Sequence, residues 1–248
     1  HVEEFTGTKS FAAVIGGSAD FGIGDPVFTA IAQQRGFSAK TVALLVTRLG
    51  ISGYTRSKMM PLIDRPEQLK GLRLTSFPAP STTYTLLKQL LDSHQLSSTE
   101  IVQAALGTQI ALLEANKADI ALDLEPGVSL AEQQGYRVVF SLSSFTKPQA
   151  ITGLTTTGSL IKEKPQVVRG MVYAINRSLK TLSRNPEVGH RVAAKLFPNL
   201  SAQVRRAAVS RILNLKMFPP SARVSATLWE RTIATRVAAG DLPAGTHP

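Results

Sequence analysis

Three successive hydroxyls, Ser81, Thr82 and Thr83, follow Pro80 in the stretch LKGLRLTSFPAPSTTYTLLKQLL, residues 69–91. Leu72, Leu74 and Ser76 alternate with Arg73 and Thr75 as a short strand would, and Pro78 and Pro80 end it. Tyr84, Leu87 and Leu91, with Leu86 and Leu90, then recur at three and four residues, the spacing of a helix that buries one stripe. Ser81 or Thr82 is placed as its N-cap. A helix start carries unpaired N–H groups and about half a positive charge, so this join suits an anionic or carbonyl oxygen. A single capping hydroxyl with its neighbours facing water fits the same residues. The P-loop spacing is absent.

Two acid–proline pairs form a second group of candidates. In SADFGIGDP, Ala19, Phe21 and Ile23 alternate with Asp20, Gly22 and Gly24, and the strand stops at Asp25-Pro26. In ANKADIALDLEP, residues 118–124 alternate and stop at Glu125-Pro126. Small residues such as Gly24 at a strand end let a ligand approach the backbone. Asp25 is either a ligand contact or the cap of a helix running towards Gly36, with capping the nearer reading. Position 27 is Val, so Gly22 and Gly24 do not begin a dinucleotide fingerprint.

Other catalytic patterns are missing. The four histidines, His1, His94, His190 and His247, form no HExxH pair, and there is no G-x-S-x-G elbow. With no cysteine, the chain holds neither a disulfide nor a zinc–thiolate site. No catalytic residue, metal site or cofactor is expected.

The elements that must position these loops fill 248 residues, enough for one large or two modest domains, and 43% apolar content supplies a core. No apolar run approaches the roughly 18 residues that span a bilayer. The remaining pattern predicts a helix at 9–15, strands at 41–47, 59–63, 100–106, 136–141 and 151–156, and helices at 108–115 and 130–134. Val2–Phe5 reads as a strand end and Gly7 as a turn. Beyond Pro165 the chain is helical, with Val168, Met171, Val172, Ile175, Leu179 and Leu182 on one buried face. Further helices start at Asn185-Pro186, at Ser201 and near Val224, the last closed by Gly240. The net charge of +11 comes wholly from this region: residues 1–159 hold 13 basic and 13 acidic side chains, and residues 160–248 hold 15 and 4. Arg205, Arg206, Arg211, Arg223, Arg231 and Arg236 are expected on a solvated basic face. No nucleic-acid motif accompanies them, and no nucleic-acid partner is expected.

Taken together, SADFGIGDP, the 69–91 stretch, ANKADIALDLEP with GYRVVFSLSS, and EKPQVVRGMVYAINRSLK resemble the solute-binding proteins of ABC importers. The branch is the one serving sulfonates, nitrate, taurine and thiamine-pyrimidine-like solutes, and the likeness runs from Val2 to Leu182. It implies an α/β, two-lobe type II periplasmic-binding-protein fold with a helical C-terminal segment, closing on one small polar molecule. Lobe 1 is expected at 1–62 and 143–248, lobe 2 at 66–140, and hinges at 63–65 and 141–142. Residue by residue, Gly24, Asp25 and Pro26 match a ligand-side loop of the first lobe, Ser81, Thr82 and Thr83 the hydroxyl-rich helix start, and Glu125 with Pro126 the acid–proline corner of the second. Asp25 and Glu125 tilt the expected ligand towards an amine-bearing sulfonate or a pyrimidine.

The resemblance further implies a monomer, periplasmic or lipid-anchored outside the membrane, delivering its ligand to a permease and doing no chemistry. Family members carry a signal peptide and about 40 residues, a strand and a helix, ahead of the position matching His1, so an N-terminally incomplete first lobe is expected. The alternatives are a thiamine-pyrimidine synthase-like enzyme, which the absent cysteine motif disfavours, and an effector-sensing domain of a regulator.

Overall fold

The computed structural model describes Glu3 and residues 9–246. The strand end expected at Val2–Phe5 and the turn at Gly7 fall outside these, Glu3 apart. In chain order the elements are α1 (Lys9–Ile15), β1 (Gly22–Gly24), α2 (Val27–Gln34), β2 (Ala39–Val46), β3 (Ser52–Thr55), β4 (Arg73–Ser76), α3 (Thr82–Ser93), β5 (Glu100–Gln103) and α4 (Gln109–Glu114). There follow β6 (Ala121–Asp123), α5 (Gly127–Gln133), β7 (Arg137–Ser141), β8 (Thr152–Thr157), α6 (Gly158–Glu163), α7 (Pro165–Arg184), α8 (Glu187–Leu196), α9 (Ala202–Asn214) and α10 (Ala226–Ala238). The mixed α/β class expected from the sequence is the one found.

Two compact units result. The first comprises residues 1–48, 148–186 and 218–248. Its sheet runs β1-β8-β2, with β8 antiparallel to both neighbours. β1 and β2 are therefore parallel to each other, and Gly24 and Val46, their last residues, lie at one edge beside the start of β8, opposite Gly153 and Thr152. The β-branched run Thr152–Thr157 suits this central position. Ala43, Leu154, Leu179 and Ala222 form one core, joined by Val172 and Ile175 of α7. Val27, Ala30, Ile233 and Leu242 form another, between α2 and α10. Met171, expected in the buried face, is exposed. At 100° per residue it stands at the margin of the stripe set by Val168, Val172, Ile175 and Leu179.

The second unit comprises residues 49–147 and 187–217. β4 and β5 pair in parallel, as their separation by the helix α3 requires. β3 lies between β6 and β7, antiparallel to both. Thr75, fully buried, joins the two groups: its N–H donates to the Ile120 carbonyl (3.0 Å) and its Oγ1 accepts from the Leu122 N–H (2.8 Å). The strand order is thus β5-β4-β6-β3-β7, with β4, β5 and β6 all parallel. Arg73, at the start of β4, makes a bidentate ion pair with Asp119 (3.1 and 2.9 Å), and this guanidinium holds the Asp119 carboxyl below its ordinary range. Tyr54, Leu113, Ala118, Ala121, Val128 and Ala131 form one core cluster of this unit.

Three expectations change. The strand placed at Met59–Ile63 is instead β3, at Ser52–Thr55; in that run the Ile63 N–H donates to the Val139 carbonyl (2.7 Å) and the Met60 carbonyl accepts from Arg137 Nη1 (3.0 Å). The strand read through SADFGIG is confined to Gly22–Gly24. The units divide at 48/49, 147/148, 186/187 and 217/218, not at hinges 63–65 and 141–142. Residues 49–62 and helices α8 and α9, expected in the first lobe, belong to the second unit. Side-chain chemistry puts them there: β3 completes the sheet beside Asp123 and Ser141, and Arg211 of α9 pairs with Glu125 and Glu132.

Candidate functional site

In the second unit, the register brings one polar residue from each strand to a single edge. Ser76 pairs with Gln103, while Ser52 pairs with both Asp123 and Ser141. This is the carboxyl edge of the three parallel strands, where ligands bind in open α/β sheets. The chain enters the unit at residue 49 and leaves after residue 147 from this same edge. The expected residues Ser81, Thr82, Thr83 and Glu125 all lie on loops or helix starts that follow β4 and β6 here.

The loop from Phe77 to Ser81 is fastened by side chains. Gln103 Oε1 accepts from the Ala79 N–H (2.8 Å), and Ser81 Oγ donates to the Phe77 carbonyl (3.0 Å). Ser81 is the N-cap of α3, with its Oγ accepting from the Tyr84 N–H (3.2 Å). That capping role was one of the two readings left open for it. Thr82 is partly buried and Thr83 buried in the first turn.

Glu125 is more enclosed than its sequence context suggests, with a side chain only 6% exposed. Its Oε1 accepts from Arg211 Nε (2.6 Å) and Ser129 Oγ (3.0 Å), and its Oε2 from the Ser129 N–H (3.1 Å). The carboxylate therefore holds the start of α5 to α9. Arg211 also pairs with Glu132.

Asp123, between β6 and Glu125, was missed by sequence reading because it looked like one polar position of an alternating strand. Its side chain is buried, with Oδ1 accepting from the Leu124 N–H (2.8 Å) and Oδ2 from the Tyr54 hydroxyl (3.4 Å). A Cβ on Gly127 would come within 2.4 Å of Oδ2, so any larger residue there would have to displace the Asp123 carboxylate. Burial raises the Asp123 pKa and outweighs the opposing Leu124 and Tyr54 hydrogen bonds, while the Glu125 charge raises it further. Burial, then the Asp123 charge, likewise pushes the Tyr54 phenol up. A raised carboxyl makes the folded state bind the extra proton, so stability falls as pH climbs from the ordinary value of 3.8 through the raised one. Asp123→Asn is expected to melt above the parent protein at pH 7 and level with it below about pH 4. Melting curves between pH 3 and 8 check this, and a gap that widens towards low pH would contradict it.

In the first unit, Gly24, Asp25 and Pro26 form the corner between β1 and α2. Asp25 Oδ1 accepts from the Val27 N–H (3.0 Å), an i to i+2 turn one residue ahead of the helix, and the N-cap of α2 is Pro26 and not Asp25 as expected. Its Oδ2 accepts from Arg236 Nη2 (2.5 Å), a guanidinium with a side chain 5% exposed that also binds Asp241 (2.8 Å). A shallow depression beside this corner is lined by Ser10, Phe11, Gly22, Gly24, Phe28 and Thr155. Arg231 Nη1 donates to the Pro148 carbonyl, and Thr232 Oγ1 accepts from the Ala150 N–H (2.8 Å), so α10 also holds the segment leading into β8. Arg211, Arg231 and Arg236 therefore tie down the Glu125 corner, the approach to β8 and the Asp25 corner, and do not belong to the expected solvated face.

Among the described residues, no group of three His, Asp or Glu side chains could hold a metal ion, and no helix is long and apolar enough to cross a membrane. No curated protein sequence matches the chain. Solved structures do. The aliphatic sulphonate binding protein SsuA from Escherichia coli, a periplasmic protein, superposes with a TM-score of 0.71 at 18% identity, over 94% of this chain and 77% of that one. The alkanesulfonate-binding protein SsuA from Xanthomonas axonopodis pv. citri, bound to MOPS, gives 0.68 at 18% identity, over 94% and 79%. The desulfurization enzyme DSZB gives 0.63 at 12%, over 91% and 81%. These likenesses show the periplasmic-binding-protein fold, which binding proteins and an enzyme share. A sequence model described as NMT1/THI5 like matches residues 2–188, three quarters of the length, and so the chain belongs to the NMT1/THI5-like family.

Proposed function

We propose that the chain is the solute-binding receptor of an ABC importer, taking up a small organic anion of the sulfonate class outside the cytoplasmic membrane and delivering it to a permease without altering it. The observation that carries this reading is the second unit's polar edge, where three parallel strands end together beside the capped start of the twelve-residue helix α3. Such an edge offers N–H and hydroxyl donors to the oxygens of a bound anion. Family membership and the fold shared with sulfonate-binding proteins support it.

The geometry shifts the ligand class. The tilt towards an amine rested on Asp25 and Glu125 as bare carboxylates, and each is matched by an arginine within its own unit. A ligand cation therefore has little to gain there, and the sulfonate group remains as the recognised feature. The MOPS-bound relative accommodates a molecule with both groups.

Thermal-shift measurements with alkanesulfonates, taurine, sulfate, nitrate and a pyrimidine test this. A sulfonate at 100 times its Kd adds about 2.7 kcal/mol, which for a chain of this size is a rise of about 5–10 °C. Recovery of the ligand unchanged after prolonged incubation is expected. Stabilisation by none of the panel, or release of sulfite or sulfate from a bound sulfur compound, would overturn the proposal.

A further inference from the structure

The outer face of α7 carries a feature that neither solute binding nor the cores account for. Arg169, Tyr173, Arg177, Lys180 and Arg184 follow one another at four, four, three and four residues, so they form a single stripe along the helix. The helix has no acidic residue. All five side chains are exposed, Tyr173 by 67%. None of the four cations makes an ion pair with a described residue. At 1.5 Å per residue the stripe is about 22 Å long. Val168, Val172, Ile175 and Leu179 hold the opposite side in the first unit's core, which fixes the stripe outward.

Three arginines of the later helices are held by partners within the fold. Arg211 and Arg236 are paired with carboxylates, and Arg231 with a backbone carbonyl. Four unpaired cations in line are a different arrangement, since unscreened like charges three and four residues apart repel one another unless an opposing surface of negative charge meets them.

We propose that this face of α7 docks on an anionic bilayer surface, the cations against lipid phosphates and Tyr173 at the headgroup level. A flat lattice of phosphates matches a convex row of charges with one amphipathic ring between its first two cations. A single-stranded nucleic acid would need a groove and several aromatic platforms, and the stripe offers one ring. This surface is independent of which solute the chain carries.

Sedimentation of the full chain with phosphatidylcholine vesicles rich in phosphatidylglycerol tests the proposal, with pure phosphatidylcholine as reference. Binding to the anionic vesicles only, lost as salt rises, is expected. Each cation contributes about fivefold, so the variant R169Q/R177Q/K180Q/R184Q should bind on the order of several hundredfold more weakly. A control carrying R35Q/K40Q/K70Q/K117Q changes the net charge equally at exposed positions off the stripe and should retain most of the binding. Unchanged melting temperatures for both variants confirm that folding is intact. Equal loss in both variants would reduce the effect to net charge and overturn the proposal. So would failure of the parent chain to sediment, or tighter binding of a single-stranded oligonucleotide through the same residues.

Discussion

Replacing Arg236 by Met is expected to lower the melting temperature by about 6–12 °C. The guanidinium sits 5% exposed between Asp25 and Asp241, which are themselves 18% and 23% exposed. Removing one partner of a buried pair takes the countercharge from the other, at a cost of about 3–5 kcal/mol, and the partial exposure of the two aspartates favours the lower end. For a chain of this size each kcal/mol moves the midpoint by about 2–4 °C. If the stranded carboxylates are the cause, adding Asp25→Asn to the arginine variant restores part of the loss, which a cavity left by the side chain would not do. Arg236→Lys keeps the charge but not the fork that reaches both acids, so it should fall between the two. A melting temperature within about 2 °C of the parent would show that the network adds little.

This network marks the boundary of what the chain discloses before it folds. The start of α3 at Thr82, with Ser81 as its cap, is local chemistry, since a hydroxyl three residues ahead of its N–H partner needs no distant contact. The two acid–proline corners and the end of α10 at Gly240 are legible for the same reason. What Asp25 and Glu125 do is a different matter. Their partners lie 211 and 86 residues away, and nothing near either acid says that its charge is already matched. Local reading therefore makes capping the nearer role for Asp25, the family resemblance sets both acids beside the ligand, and the arginines read as solvated. β3 was hidden by packing of another kind. Ser-Gly-Tyr-Thr is weak by strand propensity beside Met59–Ile63, but a Cβ at Gly53 would lie 2.7–2.9 Å from Ile120, Leu122 and Phe140. Only a glycine strand fits between β6 and β7. The polar row of Ser52, Asp123 and Ser141 could not be seen either, because it exists only through that register.

The corner at Glu125 allows the two roles of an acid beside a candidate site to be separated. Arg211→Met is expected to destabilise the chain by about 2–3 kcal/mol, because it leaves a carboxylate with a side chain only 6% exposed and without its cation. Glu125→Gln should cost distinctly less. Arg211 is 21% exposed and keeps Glu132, so its charge stays compensated by that partner and by water, and the amide oxygen can still accept from the Ser129 N–H. The double variant should then melt above Arg211→Met alone, since the buried charge is gone. Ligand affinity follows a different order under the two roles. If Glu125 acts by fixing the start of α5 to α9, Glu125→Gln leaves the Kd for a sulfonate nearly unchanged, whereas Arg211→Met weakens binding through the displaced corner. If the carboxylate touches the ligand, Glu125→Gln changes affinity by a factor of ten or more while stability barely moves, a hydrogen bond to a charged group being worth about 1.5–3 kcal/mol. Three donors within the unit already occupy the carboxylate, which has about four acceptor positions, and this favours the first outcome. Melting curves and titration calorimetry on the three variants decide between them, and a tenfold loss of affinity in Glu125→Gln at unchanged stability would assign Glu125 to the ligand.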